Sequence, residues 1–446
     1  MEREGYIMHI RPKAAAAVLM SLTLTGCGVI SSTESLMSPP KLTEEQNGVY
    51  KALLAGVDDK VSLCYPKSGE YRSAYIIRDL NGDGSKEAVV FYKPEDPDGA
   101  DGNVRVNVCV SDENGAWRSV YDHASAGSSV DSVSVLPLGG NDLIHVVVGY
   151  SRFASSEKQL EVYSIGADGT LDMRYTDDYS EFHVTDLTND GHNDIVRVSL
   201  GNDKQPPGVS LVTDTGGGLS EKGRIDLDRR TAAFEKVTDG KLAENTRAVF
   251  VDEMSMDGMV ATELVYCVNG ELRNPAEIEG SDLRNSTRRP KGYYCMDVDG
   301  DGITEIPVTE PFPGYENENG QLLMTVWNVY QNYELTEKYS GWYSRGNGWC
   351  MMFPGRWKGL VTVRIDSVSG AVIFCKANNA PIGSSPELMR IIGCTGEKAE
   401  QYTAAGFQKI AQRDNAEYLV HLSEDVTEKL VLTNTEVENN FMLVEE

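Results

Sequence analysis

Three stretches of this chain repeat one acidic formula. They are Asp79-Leu80-Asn81-Gly82-Asp83-Gly84-Ser85-Lys86-Glu87, Asp186-Leu187-Thr188-Asn189-Asp190-Gly191-His192-Asn193-Asp194 and Asp297-Val298-Asp299-Gly300-Asp301-Gly302-Ile303-Thr304-Glu305. In each, oxygen-bearing side chains stand at positions 1, 3, 5 and 9, with glycine at position 6. A short loop of this kind can wrap a hard cation: alternate side chains point inward, glycine permits the sharp turn, and the carbonyl of position 7 adds an oxygen. The expected calcium ligands are Asp79, Asn81, Asp83 and Glu87; Asp186, Thr188, Asp190 and Asp194; and Asp297, Asp299, Asp301 and Glu305. Ser85, His192 and Ile303 would contribute through their backbone carbonyls. The closing acid falls at position 9, whereas an EF-hand places it at 12. A solvated Asp/Gly turn uses the same residue types, but threefold recurrence of one ligand spacing favours the metal. The second loop departs from the pattern at Thr188.

Strands, not helices, are expected to carry these loops. Tyr75-Ile76-Ile77, Phe182-His183-Val184 and Tyr293-Tyr294-Cys295-Met296 precede them; Ala88-Val89-Val90-Phe91-Tyr92, Ile195-Val196-Arg197-Val198 and Ile306-Pro307-Val308 follow. Val104, Val106, Val108 and Val110 alternate before the turn 112–115, and comparable units precede the turns 166–169 and 215–218. Two degenerate copies fill the gaps. Residues 133–150 keep the strand without the acids, and residues 249–268 keep Asp252, Asp257-Gly258 and Glu263 at altered intervals. Reference points near 79, 138, 186, 252 and 297 lie 45 to 66 residues apart, the spacing of four-stranded propeller blades. A β-sandwich with Asp/Gly turns is the competing architecture.

The three loops with their apolar flanks resemble FG-GAP/VCBS repeats, the calcium-loop blades of integrin-α-type β-propellers. The stretch 41–343 further resembles Clostridia-type lipoproteins, through Tyr71-Arg72-Ser73-Ala74-Tyr75 and Thr262-Glu263-Leu264-Val265-Tyr266 before Asn269-Gly270. The resemblance implies a propeller holding calcium in its blade loops; it says little about activity. The segment from about Arg345 changes character, with Trp349, Met351, Phe353-Pro354 and Trp357. It resembles PsbP/Mog1-like α+β modules through Phe353-Pro354 and Trp357. These aromatics are read as core, with a ligand groove as the alternative. Strands at 360–366, 370–376, 387–393, 406–411 and 416–421 are expected, then a helix capped by Ser423.

At the other end, residues 14–24 form an apolar run too short to span a bilayer. The run closes on Leu24-Thr25-Gly26-Cys27, which looks like a lipobox with Cys27 as the lipidated residue; Met8 fits the start of such a signal better than Met1. Residues 1–27 are thus a lipoprotein signal peptide and 28–42 a flexible tether. Residues 43–343 form a mainly β propeller with an N-terminal helix, opened by the capping box Thr43-Glu44-Glu45-Gln46 with Val49, Leu53 and Leu54 on one face. Residues 345–446 form a small α+β domain. Net charge −27 argues against nucleic acid as a partner. Beyond Cys27 the cysteines are odd in number and lack zinc spacing, and Cys109, Cys267 and Cys375 lie in strand-like runs. No Gly-x-Ser-x-Gly, His-Glu-x-x-His or Walker loop occurs, and Ser155-x-x-Lys158 sits in a polar stretch without helical context. The expectation is a non-enzymatic, calcium-stabilised lipoprotein anchored outside the cell membrane, binding an envelope protein or glycan. A carbohydrate-active lyase or hydrolase is the alternative; an envelope-assembly or sporulation accessory factor is a third.

Overall fold

A computed structural model describes residues 42–444, apart from 58–59, 96–101, 141, 154, 156, 215–217, 317–321, 379–381 and 425–427. The signal peptide, Cys27 and nearly all of the tether lie outside the described residues.

The chain is mostly β, built as six antiparallel sheets met in sequence order. Sheet one holds Glu87–Pro94, Arg105–Ser111 and Trp117–Ala124, with Val61–Leu63 and Tyr75–Arg78 along its inner edge. Sheet two is the meander Ser129–Pro137, Ile144–Ser151, Lys158–Ile165, Leu171–Tyr179, with Ser68–Gly69 added in parallel. Sheet three runs Glu181–Thr185, Asp194–Ser199, Gly208–Asp214, Leu219–Asp226. Sheet four runs Thr231–Ala243, Thr246–Ser255, Met259–Val268, Glu271–Arg273. Sheet five runs Ile306–Pro311, Leu323–Gln331, Glu334–Ser344, Trp349–Met352, and Phe441–Leu443 pairs with its last strand. Sheet six orders Val361–Ile365, Val372–Lys376, Glu387–Thr395, Ala416–Leu422 and Gln408–Arg413.

Each sheet buries a face against the next, which is why these strands read as continuous β-branched runs. Val89, Phe91, Val106 and Val108 meet Val133, Val146 and Val148 of sheet two. Further clusters join sheets two and three through Leu160 and Ile195, three and four through Val196 and Val249, and four and five through Phe250 and Ile306. The outward faces of the first and last sheets are covered by helices. Helix α1 (Glu44–Gly56) lays Val49, Ala52 and Leu53 on Ala88, Val90 and Cys109. Its capping box forms as expected, with Thr43 N–H donating to Gln46 Oε1 at 3.0 Å and Gln46 N–H to Thr43 Oγ1 at 3.1 Å. Gly48 permits the close approach, since a Cβ there would stand 2.8 Å from Trp117 Cδ1. Leu54, expected on the buried face, is exposed, and Ala52 takes its place. On sheet six, Ala399 of the helix Glu397–Ala404 packs on Ile392 and Leu419.

The C-terminal segment shares its core with sheet five. Phe312 and Trp342 join Trp349, Phe353, Trp357, Phe374 and Val420 in one cluster, and Trp357 Nε1–H donates to the Leu430 carbonyl at 2.7 Å. The aromatic run 349–357 is therefore core. The last helix starts later than expected: Asn434–Asn440, capped by Thr433 with Glu436. Ser423 lies ten residues upstream and does not cap it, because the intervening chain packs Leu430 and Leu432 inward.

Candidate functional site

All three acidic loops lead directly into a buried strand of their sheet, after a short paired segment, in sheets one, three and five. Loop one joins Tyr75–Arg78 to Glu87–Pro94, and loop two joins Glu181–Thr185 to Asp194–Ser199. Loop three joins the Met296–Glu305 bridge to Ile306–Pro311. In sheets two and four the link between the first two strands is short. The degenerate copy at 249–268 is differently placed: Asp257-Gly258 turns between the second and third strands, so it is not the counterpart of a metal loop.

The loops fold alike because their acids bind their own backbone. In loop one Asp79 accepts from Gly82 N–H at 2.7 Å and Gly84 N–H at 2.9 Å; Asn81 accepts from Asp83 N–H, and Asp83 from Ser85 N–H at 2.7 Å. Glu87 reaches back to Leu80 N–H at 2.8 Å. Loop three repeats this bond for bond: Asp297 to Gly300 and Gly302, Asp299 to Asp301, Asp301 to Ile303, and Glu305 to Val298. Loop two keeps part of this pattern. Asp186 accepts from Asp190 and Gly191, Asp190 from His192, and Asp194 from the Thr188 hydroxyl at 3.1 Å. Position 6 is glycine at φ +86° to +88° in all three; position 4 is Gly82, Asn189 and Gly300, and Asn189 tolerates φ +58°. The His192 imidazole is exposed, as expected.

The closing acids are buried, and burial raises the pKa of Glu87, Asp194 and Glu305. Their second oxygens meet different fates. In loop three, Lys338 Nζ lies 2.8 Å from Asp299 Oδ2, 2.7 Å from Asp301 Oδ2 and 2.7 Å from Glu305 Oε1. Burial works against this ammonium's charge, but the three carboxylates raise its pKa overall. Asp297, Asp299 and Glu305 do have oxygens within 4.8 Å of one another. However, a lysine ammonium already stands where a cation would sit, and the Tyr339 hydroxyl donates to Asp299 at 2.8 Å. In loop three the Lys338 ammonium thus stands among the acids that a calcium ion would otherwise bridge. In loop two, Asp194 Oδ1 is buried with no hydrogen-bond partner, on a residue 1% exposed. A buried carboxylate oxygen without a hydrogen-bond partner is costly, and a cation held by this loop would offset that cost. Loop one has no lysine among its acids; its own Lys86 turns away to Glu45.

Lys338 and Tyr339 were not legible in the sequence as loop partners. They lie two strands downstream and reach loop three only through sheet pairing. Lys158 of the Ser155-x-x-Lys158 match is engaged elsewhere, with Asp131 at 2.8 Å.

Sheet four carries a buried carboxyl pair. Glu253 is fully buried and Glu263 is 3% exposed. Glu253 Oε2 accepts from the Thr231 hydroxyl at 2.8 Å; Glu263 accepts from Asp228 N–H at 3.0 Å and from Arg284, which also reaches Glu253. Burial, then the Glu263 charge, raises the Glu253 pKa well above the ordinary carboxylate range. A carboxyl raised on folding lends stability below its unfolded pKa, and that stability is lost as pH rises towards the folded value. Glu253→Gln is expected to flatten the fall in stability as pH rises above the ordinary glutamate range. The slope it removes is at most about 1.4 kcal/mol per pH unit for one proton. Urea midpoints at rising pH check this; parallel curves for variant and wild type would refute it.

No family model and no curated protein matches the chain. Among solved structures, it resembles a protein from Lactobacillus plantarum at 13% identity, over 73% of this chain and 93% of that one, with a TM-score of 0.30. It also resembles a periplasmic gluconolactonase of Pseudomonas aeruginosa (15% identity, 58% and 83% covered, TM-score 0.22). A third is the WD40 domain of fission-yeast SCAP (10% identity, 79% and 75% covered, TM-score 0.29). The description of the fold rests on the sheets themselves.

Proposed function

We propose that this chain is a calcium-stabilised binding lipoprotein of the β-propeller type, held outside the cell membrane by lipid on Cys27. Its partner would be a protein or glycan of the envelope. The orphaned Asp194 Oδ1 is the observation that supports the calcium reading most directly. Asp79, Asn81, Asp83 and Glu87 would hold one ion, and Asp186, Thr188, Asp190 and Asp194 another. Bound calcium would supply the positive charge that lets clustered carboxylates attract rather than repel. Loop three is closed by Lys338 in place of a metal. A net charge of −27 favours neutral or cationic partners over nucleic acid. The Glu253–Glu263 pair lends the enzymatic alternative little, because both side chains are enclosed away from solvent.

The experiment has two arms. Calcium should raise the melting temperature of wild type over chelator, and less so for Asp83→Asn and Asp190→Asn; one site at 100-fold excess over Kd is worth about 2.7 kcal/mol. Cys27→Ala should leave the membrane fraction or accumulate as precursor. Equal melting in calcium and chelator would remove the metal, and an unchanged membrane-bound mass would remove the anchor.

A further inference from the structure

A groove of about 830 Å³ opens between loops two and three, walled by Thr188 and Asn189 on one side and Asp301 and Ile303 on the other. Its existence follows from the alternation of long and short links. Sheet four lies between the two loop-bearing sheets and turns from its first strand to its second in only residues 244–245, so Leu242, Ala243, Asn245 and Thr246 form a low floor. The hairpins Met259–Val268 to Glu271–Arg273 of sheet four and Leu323–Gln331 to Glu334–Ser344 of sheet five open at the same end.

Those hairpins differ in one informative residue. Sheet four closes its hairpin with Asn269-Gly270 at φ +52° and +80°, the residue pair that a two-residue turn of this hand prefers. Sheet five closes the equivalent hairpin with Asn332-Tyr333 at φ +53° and +68°. A tyrosine is thus held in left-handed backbone where glycine would sit without strain, and its side chain is 74% exposed. Strain kept at an exposed aromatic points to use rather than stability. Tyr333 does not stand alone. Tyr266 and Tyr330 line the same groove, and the phenols of all three lie close enough to influence one another.

The remaining lining is unusual for so acidic a chain. Its only charged side chains are Asp301 and Lys338, which pair with each other at 2.7 Å. Five carboxamides, Asn189, Asn245, Asn269, Gln331 and Asn332, also line it, and none of these side chains has a hydrogen-bond partner among the described residues. A carboxamide both donates and accepts, as a sugar hydroxyl does. Tyrosine rings offer flat apolar faces to the C–H surface of a sugar ring while keeping a polar edge.

We infer that this groove binds a neutral oligosaccharide, with Tyr333 as its stacking platform and the carboxamides reading hydroxyl groups. This deepens the binding role proposed above and rests on it. The charge balance of the lining argues against a cationic peptide, which would be drawn to the acidic surface elsewhere.

The test is affinity electrophoresis and calorimetry of the full chain with cellohexaose, xylohexaose, mannohexaose, chitohexaose and maltohexaose, against hexagalacturonate and a Lys-rich peptide. Wild type should bind at least one neutral hexasaccharide. Tyr333→Gly should weaken that binding tenfold or more while raising the melting temperature, because glycine relieves the turn. Gln331→Ala should weaken binding with no thermal gain. A residue kept only for the fold would not separate affinity from stability in this way. Binding unaffected by Tyr333→Gly and Tyr266→Ala would overturn the groove and leave the binding role standing. Binding of only the galacturonate or the peptide would overturn the neutral-glycan class, and binding of nothing would overturn this inference, while the calcium and anchor experiments above decide the role beneath it.

Discussion

Arg289→Ala is expected to cost about 3–5 kcal/mol of stability, because it strands Asp252 as an unpaired buried charge. Both residues are fully buried. Arg289 Nη2 lies 2.7 Å from Asp252 Oδ1, and its remaining N–H groups donate to Thr262 Oγ1, the Thr287 carbonyl and the Tyr293 carbonyl at 2.7–2.9 Å. Asp252 Oδ2 accepts from Cys295 N–H at 2.9 Å. The knot thus fixes residues 287–295 to sheet four and sets where the chain enters loop three at Asp297. Replacing both partners with apolar residues, Asp252→Leu with Arg289→Met, should recover most of the loss, since the desolvation cost disappears along with the attraction. Arg273→Ala, which breaks the exposed pair with Glu271, should cost within about 1 kcal/mol. Denaturant unfolding of the four proteins checks this. Equal losses for Arg289→Ala and Arg273→Ala would show that the buried pair does not hold the sheet.

Lys338→Met is expected to make loop three dependent on metal. Without the ammonium, Asp299, Asp301 and Glu305 face one another with no positive partner, and Glu305 is fully buried. In chelator the variant should melt below wild type. Calcium at 100-fold excess over its Kd should return about 2.7 kcal/mol through this loop alone, and binding stoichiometry should rise by one ion over wild type. Wild type, by contrast, should bind the same number of ions before and after Asp301→Asn. Loss of one ion from wild type on that substitution would mean that Lys338 yields to calcium, and the assignment of loop three would fail.

The chemistry of the loops was local, and so the sequence carried it. Asp79, Asp83 and Glu87 bind N–H groups within seven residues of themselves, and Gly84 supplies a backbone angle that few other residues accept. The strands were legible for a similar reason: Val106 and Val108 repeat with the period of the pleat. The capping box of α1 spans four residues and formed as written. Elements whose partners are distant were read less well. Nothing near Ser423 shows that the last helix begins at Asn434, and Leu54 is exposed because sheet one meets a different edge of α1. Nor does the aromatic run at 349–357 show that Trp342 and Phe312 complete its core.

By itself, then, the sequence determined the three loops, their flanking strands and the acidity that disfavours polyanionic partners. These follow from side-chain type and short spacing. Tertiary structure alone decided what surrounds the acids of each loop. It brought Lys338 across two strands into loop three, buried Asp194 Oδ1 of loop two without a hydrogen-bond partner, and set a short turn of sheet four between them. Sheet pairing joins residues thirty or more positions apart, and no local pattern encodes which side chain will arrive there.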